Sequence, residues 1–371
     1  MPKYKFGDVV REIKVNIDRN NNPYEFYIAG EHMDTNELHL QRRGRFEGSD
    51  VGPAFIRLFK PGQILYGSRR TYLRKVAVAD FEGITSNTTF VLESKDETKL
   101  CQRLLPFIML SDEFTQYSIS KSKGSTNPYI LFSDLSEYEL NLPEIEQQRA
   151  LAEVLWALDS TKKAYRNLII STDELVKSQF IEMFGTPEAP VDGVEYLRLG
   201  DVATYVNGYA FKPEDWGQCG LPIIRIQNLT GTNEDFNYYD GAYPPKVEIN
   251  DGDVLISWSA SLGVYLWTRG KAILNQHIFK VEFDKMPIEK RFFMYAVEQK
   301  LEEMSGKTHG STMKHIVKKD FDNTRIAYPS MQQQTLFAAL AEQSDKSKFE
   351  LEQAIQRIDN LIKSLIQQNN D

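Results

Sequence analysis

The residues best placed to do chemistry in this 371-residue chain are an acid followed by Glu-x-Lys, namely Asp80 and then Glu93-Ser94-Lys95. At a strand end that order suits a metal-dependent nuclease, in which two carboxylates hold Mg²⁺ and the lysine offsets charge on a phosphate. The pattern is short, and 189 positions further on Glu282 persists while Asp284 stands where the lysine would be. Other catalytic signatures are missing. An amino-methyltransferase needs a glycine-rich strand and loop together with Asn/Asp-Pro-Pro-aromatic, and Asn127-Pro128-Tyr129 has one proline too few. There is no GxxxxGK[ST] loop for a nucleotide phosphate. His309 and His315 are six apart with no cysteine near, a poor zinc set, and Cys101 and Cys219 lie in different halves of the chain.

A second kind of chemistry is better represented. The net charge is −8, yet three windows hold bases and no acid. Residues 57–75 carry six bases, residues 254–281 carry Arg269, Lys271 and Lys280, and residues 304–319 carry Lys307, Lys314, Lys318 and Lys319 with His309 and His315. Acid-free basic loops on an acidic protein fit a polyanion such as the nucleic-acid backbone. With 41% apolar and 12% aromatic residues the chain can bury real cores, and its length suits two domains with connecting elements. No run of about 18 apolar residues occurs, so the expectation is a soluble cytoplasmic protein.

The elements that must position those windows occur twice. Residues 142–185 read as one long amphipathic helix, and a shift of 186 carries Pro143, Gln147 and Gln148 onto Pro329, Gln333 and Gln334. One heptad seam, Leu151, Leu158, Tyr165 and Thr172 with Val154, Thr161, Leu168 and Leu175, maps onto Phe337, Ser344, Leu351 and Ile358 with Leu340, Ser347, Ala354 and Leu361. Before each helix lies a β-rich stretch. Gly7-Asp8-Val9 matches Gly200-Asp201-Val202, Thr85–Glu93 matches Leu274–Glu282, and Gly124-Ser125-Thr126 matches Gly310-Ser311-Thr312. A drifting shift of 193 to 186 is what a duplicated domain with loop deletions gives. The expected architecture is α+β: mixed α/β domains at 1–141 and 186–329, separated by helices at 142–185 and 330–371 that form an antiparallel coiled coil.

The proline–glutamine helix start in LPEIEQQRALAEVL, the GST…SDL run before it and the GDV opening of each half, all repeated, resemble the DNA-specificity subunit of type I restriction-modification enzymes. The resemblance implies two target-recognition domains, each reading half of a bipartite asymmetric site on double-stranded DNA. It implies helices that set the gap and carry two methyltransferase subunits, with restriction subunits joining. It implies no active site and no cofactor in this chain. S-adenosylmethionine would belong to the methylase, and ATP and Mg²⁺ to the restriction subunit. The nuclease built on Asp80, Glu93 and Lys95 stays open as the alternative.

On either side of the repeat, candidate DNA contacts follow from charge and loop position. In the first domain they are Arg42, Arg43, Arg45, Arg69, Arg70, Arg74, Lys121 and Lys123. In the second they are Trp258, Ser259, Lys271, Gln276, His277, Lys307, His309 and Lys314. Candidate partner-docking residues at the helices are Glu146, Gln147, Arg149, Trp156, Gln333 and Phe337. The second helix start has Gln332 and Thr335 where the first has Glu146 and Arg149, which predicts a weaker contact there.

Overall fold

Each half of the chain builds the same three sheets from the same strand order. The computed structural model describes residues 2–18, 21–306 and 316–368. In the first half, one four-stranded sheet runs Val10–Glu12, Thr89–Ser94, Ile64–Gly67, Val76–Val78 in space. Its counterpart in the second half runs Thr204–Asn207, Ile278–Glu282, Val254–Ser257, Gly263–Leu266. The other four-stranded sheet runs Gly44–Arg45, Phe26–Ile28, Gly83–Ser86, Phe55–Phe59, and is matched by Asn237–Tyr239, Leu221–Ile224, Ala272–Leu274, Glu248–Ile249. In both copies the central pair of this second sheet is parallel and its neighbours antiparallel. A two-stranded ladder closes each domain, Lys3–Lys5 on Glu139–Asn141 and Glu195–Arg198 on Arg325–Tyr328.

The two short motifs that flank each domain in sequence meet in space. Phe6–Val9, which contains the GDV opening, forms a one-turn helix against Phe132–Ser136, which contains the SDL run. A Cβ on Gly7 would come within 2.6 Å of the Ser136 Cβ, so only glycine permits this approach. Gly200 stands against Asp322 in the second copy, where an added Cβ would lie 3.2 Å from the aspartate Cβ.

The long helices run Ile145–Phe184 and Met331–Gln368. The chain divides into two units, Met1–Arg166 with Glu352–Asp371, and Asn167–Leu351, so each unit takes part of both helices. In the first unit Ala152 and Leu155 share a core with Ile366 and, at its edge, Ile362 and Leu365. In the second, Val176, Phe180 and Phe184 share a core with Phe337 and Ala341. Phe180, Phe184, Phe292 and Phe337 form a cluster of rings with centroids 5.0 to 6.1 Å apart.

Each helix start is tied to its own domain by one buried glutamine. The Gln148 Nε2 donates to the carbonyls of Lys99 and Pro143 at 2.8 and 2.9 Å, and its Oε1 accepts from the Cys101 N–H at 3.0 Å. Gln334 repeats this with the Pro329 carbonyl and the Glu289 N–H, both at 2.9 Å. A glutamine at that position satisfies helix-end and loop groups that would otherwise be buried without partners.

Only part of the heptad seam expected from the sequence is buried: Phe337 is enclosed and Leu151 is packed against a core. Val154, Leu168, Leu175, Leu340 and Leu361 are exposed, while the buried line of the first helix runs through Ala152, Leu155, Asp159, Lys162, Val176 and Phe180. That buried line includes an aspartate and a lysine, so a search for apolar spacing favours the neighbouring line instead.

Candidate nucleic-acid interface

In the first domain one loop corner gathers two separate segments. Arg69 pairs with Tyr129 in an isolated antiparallel bridge and lies 5.9 Å from the centre of its ring. Arg70 has left-handed backbone, φ 51°, donates its N–H to the Pro128 carbonyl at 2.6 Å and sets its Nε 3.3 Å from the Asn127 Oδ1. Lys123 bridges to Tyr129 from the other side and pairs with Asp134 at 2.9 Å. Arg69, Arg70, Lys121, Lys123 and the Gly124–Asn127 loop are all exposed. Side-chain amide, hydroxyl, aromatic ring and guanidinium groups on one exposed corner can hold phosphates and reach base edges.

The remaining first-domain candidates are placed otherwise. Arg74 is mostly covered, pairing with Asp112 at 2.5 Å and donating to the Leu110 carbonyl, which makes it a tie between loops rather than a free cation. Arg42, Arg43 and Arg45 are exposed around the Gly44–Arg45 strand. Arg42 pairs with Asp34, Arg43 lies 3.8 Å over the Phe26 ring, and Arg45 pairs with Glu25 at 3.2 Å.

In the second domain the turn that corresponds to Ser68–Arg70 repeats its backbone hydrogen bonds with different side chains. Ser68 donates its N–H to the Thr88 carbonyl and receives that of Ile130; Trp258 does the same with His277 and Ile316. Ala260 then falls where Arg70 is, with φ 58°. Trp258 stacks on Phe279 with centroids 5.5 Å apart, meets His277 edge-on at 4.9 Å, and places its Nε1 3.3 Å from the Asn207 Oδ1. Ser259 is half-buried and Gln276 is exposed beside them. Lys271 instead pairs with Glu248 at 2.9 Å. Lys307, His309 and Lys314 lie outside the described residues.

The helix candidates divide in the same way. Glu146 and Arg149 are exposed and pair with each other at 2.7 Å, and Gln147 is exposed beside them. Gln333 caps its own helix, its Oε1 accepting from the Ser330 hydroxyl at 3.0 Å. Trp156 packs on its own domain, donating to the Arg103 carbonyl at 2.8 Å and meeting Phe107 edge-on. Phe337 is fully buried among rings, which makes it a core residue and removes it as a docking side chain. What the sequence reading missed is the exposed apolar line itself. Val154 and Leu340, and again Leu175 and Leu361, are matched by the repeat and all four are solvent-facing.

Of Asp80, Glu93 and Lys95, the last two are engaged by groups outside the trio. Glu93 is held by Arg11 at 2.5 Å and by the Gln63 amide at 2.9 Å, and Lys95 donates to the Gly7 carbonyl. Among the described residues, Glu37, His39 and Asp159 are the trio whose ligand atoms lie within 4.8 Å of one another. Their carboxylates already face cations, Arg166 on Glu37 and Lys162 at 3.6 Å from Asp159, while His39 lies 2.8 Å from Asp159. That arrangement is an ion-pair network between the first domain and the helices. Among the described residues no helix is long and apolar enough to cross a membrane.

Comparison with known proteins bears on both halves. Residues 3–170 and 191–360 match the family described as the type I restriction modification DNA specificity domain. The EcoBI specificity subunit of Escherichia coli is 28% identical over 163 residues, 42% of this chain and 34% of that protein. The MjaVIII specificity subunit of Methanocaldococcus jannaschii is 23% identical over 318 residues, 76% of this chain and 73% of that one. A chain from a solved structure described as the basis of complex assembly and conformational transition of the type I R-M system shares the fold. Its TM-score is 0.60 at 18% identity, over 99% of this chain and 97% of that one.

Proposed function

Because the chain belongs to the type I restriction modification DNA specificity family, we propose that it is the DNA-recognition subunit of such a complex. Each domain reads one half of a bipartite, asymmetric site on double-stranded DNA. The observation that carries this is the matched turn, where Ser68, Arg69 and Arg70 in one domain stand against Trp258, Ser259 and Ala260 in the other. One turn geometry with different side chains suits the reading of two different half-sites.

The two long helices pair antiparallel as a coiled coil and set the gap between half-sites. Support comes from the ion pairs Lys162–Asp359 at 3.1 Å and Lys348–Asp173 at 2.7 Å, together with the shared cores in each unit. The exposed apolar residues of each helix, Val154, Leu168 and Leu175 on the first and Leu340 and Leu361 on the second, are where two methyltransferase subunits dock, with restriction subunits joining the assembly. The chain itself does no chemistry. S-adenosylmethionine, ATP and Mg²⁺ act in the partners, and no observation favours the nuclease alternative.

A genome-wide map of N6-methyladenine in cells with and without the gene tests this reading. Loss of one bipartite, gapped motif is the expected result; a methylation pattern that does not move would overturn it.

A further inference from the structure

The ion pairs between the long helices come as a matched set. Asp159, Lys162 and Asp173 on the first helix recur as Asp345, Lys348 and Asp359 on the second, 186 positions on. In the first unit Lys162 lies 3.6 Å from Asp159 on its own helix and 3.1 Å from Asp359 on the other. In the second, Lys348 lies 3.1 Å from Asp345 on its own helix and 2.7 Å from Asp173 on the other. Each lysine is therefore held between a near acid and a cross-helix acid, and exchanging the helices exchanges the two sets.

A purely apolar seam tolerates sliding by a heptad, because every seventh residue returns to the interface. These charges do not tolerate it. Sliding one heptad in one direction sets Lys348 against Arg166, with Lys162 against Glu352. Sliding the other way sets Lys348 on Phe180 and Lys162 on Ile366. The first meets like charge; the second leaves both lysines without a cross-helix acid at an interface, which is strongly unfavourable. We propose that Lys162 and Lys348 are positioning residues that fix one register of the helix pair and so make the gap between half-sites single-valued. The register claim stands on the ion pairs alone, whereas the gap claim rests on the DNA-recognition reading above.

The two locks sit in different surroundings. Lys162 is 7% exposed beside Asp159 at 5%, and Asp159 in turn meets His39, near the Glu37–Arg166 pair. Lys348 is 25% exposed on the wall of a cavity of about 360 Å³ that Arg291 and Tyr295 also line. Charge reversal at Lys162 would bury carboxylates together and endanger folding, while solvent in that cavity moderates reversal at Lys348. K348D is accordingly the informative variant.

The test compares wild type, K348D and the exchanged pair D173K/K348D, each expressed as the full chain with its methylase partner, by mapping methylated bases. K348D should lose about tenfold of the methylation at the original gap, or methylate the same half-sites at a second gap, and D173K/K348D should restore the original. Wild-type occupancy at the original gap in K348D, or a loss that the exchange does not restore, overturns the proposal. Register is read separately in the purified chain through L151C/I366C, two residues lining one small cavity of the first unit, joined by a short bismaleimide. Exposed Cys219 is replaced by serine for this purpose. Cross-linking should fall about tenfold in K348D and return in the exchange; unchanged cross-linking in K348D also overturns the register claim. If the wild-type chain directs no bipartite methylation, the DNA-recognition reading fails and the cross-link alone decides the register.

Discussion

Arg70 and Ala260 occupy the same left-handed corner of the two domains, at φ 51° and φ 58°. Non-glycine residues rarely adopt this backbone, and here two unlike ones do so at equivalent places. The corner is therefore a fixed platform on which side chains can be exchanged.

Replacing Arg69 and Arg70 by alanine should leave the fold intact, since both are exposed and alanine already occupies the matched corner as Ala260. DNA affinity should fall, and the salt dependence of binding should flatten by about two phosphate contacts. Titrations at several salt concentrations decide it; an unchanged slope would remove this corner from the interface. Exchange of residues 1–141 for a related domain should alter one half-site only.

Leu175 and Leu361 are exposed and carry no evident role in either core. Leu175→Asp with Leu361→Asp should leave the melting temperature within the small range usual for surface changes. Methylase binding should weaken by about tenfold or more, as removal of apolar anchors at an interface does. Co-purification of a tagged methylase reads this directly, and full recovery by the double variant would place the docking surface elsewhere.

Gln148→Ala leaves the Lys99 and Pro143 carbonyls and the Cys101 N–H without their partner. The loss should be about 1–3 kcal/mol of unfolding free energy, as for other buried polar groups stripped of hydrogen bonds. Gln334→Ala removes two such bonds and should cost less. Urea unfolding of both variants checks the order as well as the size.

Burial opposes the charge on Asp159, yet the His39 hydrogen bond and the Lys162 charge outweigh it and hold the carboxyl below its usual range. A carboxyl depressed in the folded state stabilises fully above its unfolded value of about 4 and loses that contribution as pH falls through the folded value. Wild-type stability should therefore fall more steeply than that of Asp159→Asn below about pH 4, with the two curves converging. Melting temperatures between pH 3 and pH 6 test it, and curves that stay parallel would assign the acid sensitivity to other groups.

The repeat, the two long helices and the family resemblance were legible in the residues themselves, because duplication leaves its mark in order and spacing. Pro143 with Gln148 and Pro329 with Gln334 announced both helix starts, whereas the contact that Gly7 makes with Ser136, between the GDV and SDL motifs, appears only in the fold. Periodicity could not identify the buried line of the first helix. Apolar spacing favours Val154, Leu168 and Leu175, whereas the buried line passes through Asp159 and Lys162. A charge is tolerated at such a position only when a particular partner meets it, and Asp359 lies 197 positions from Lys162. Nor could spacing show that Phe337 would be enclosed by Phe180 and Phe184, or that Arg74 would be spent on Asp112. Local sequence determined which elements form and that they form twice. Which face of each helix is inside, and which cations remain free for DNA, depended on long-range partners that only the tertiary structure supplies.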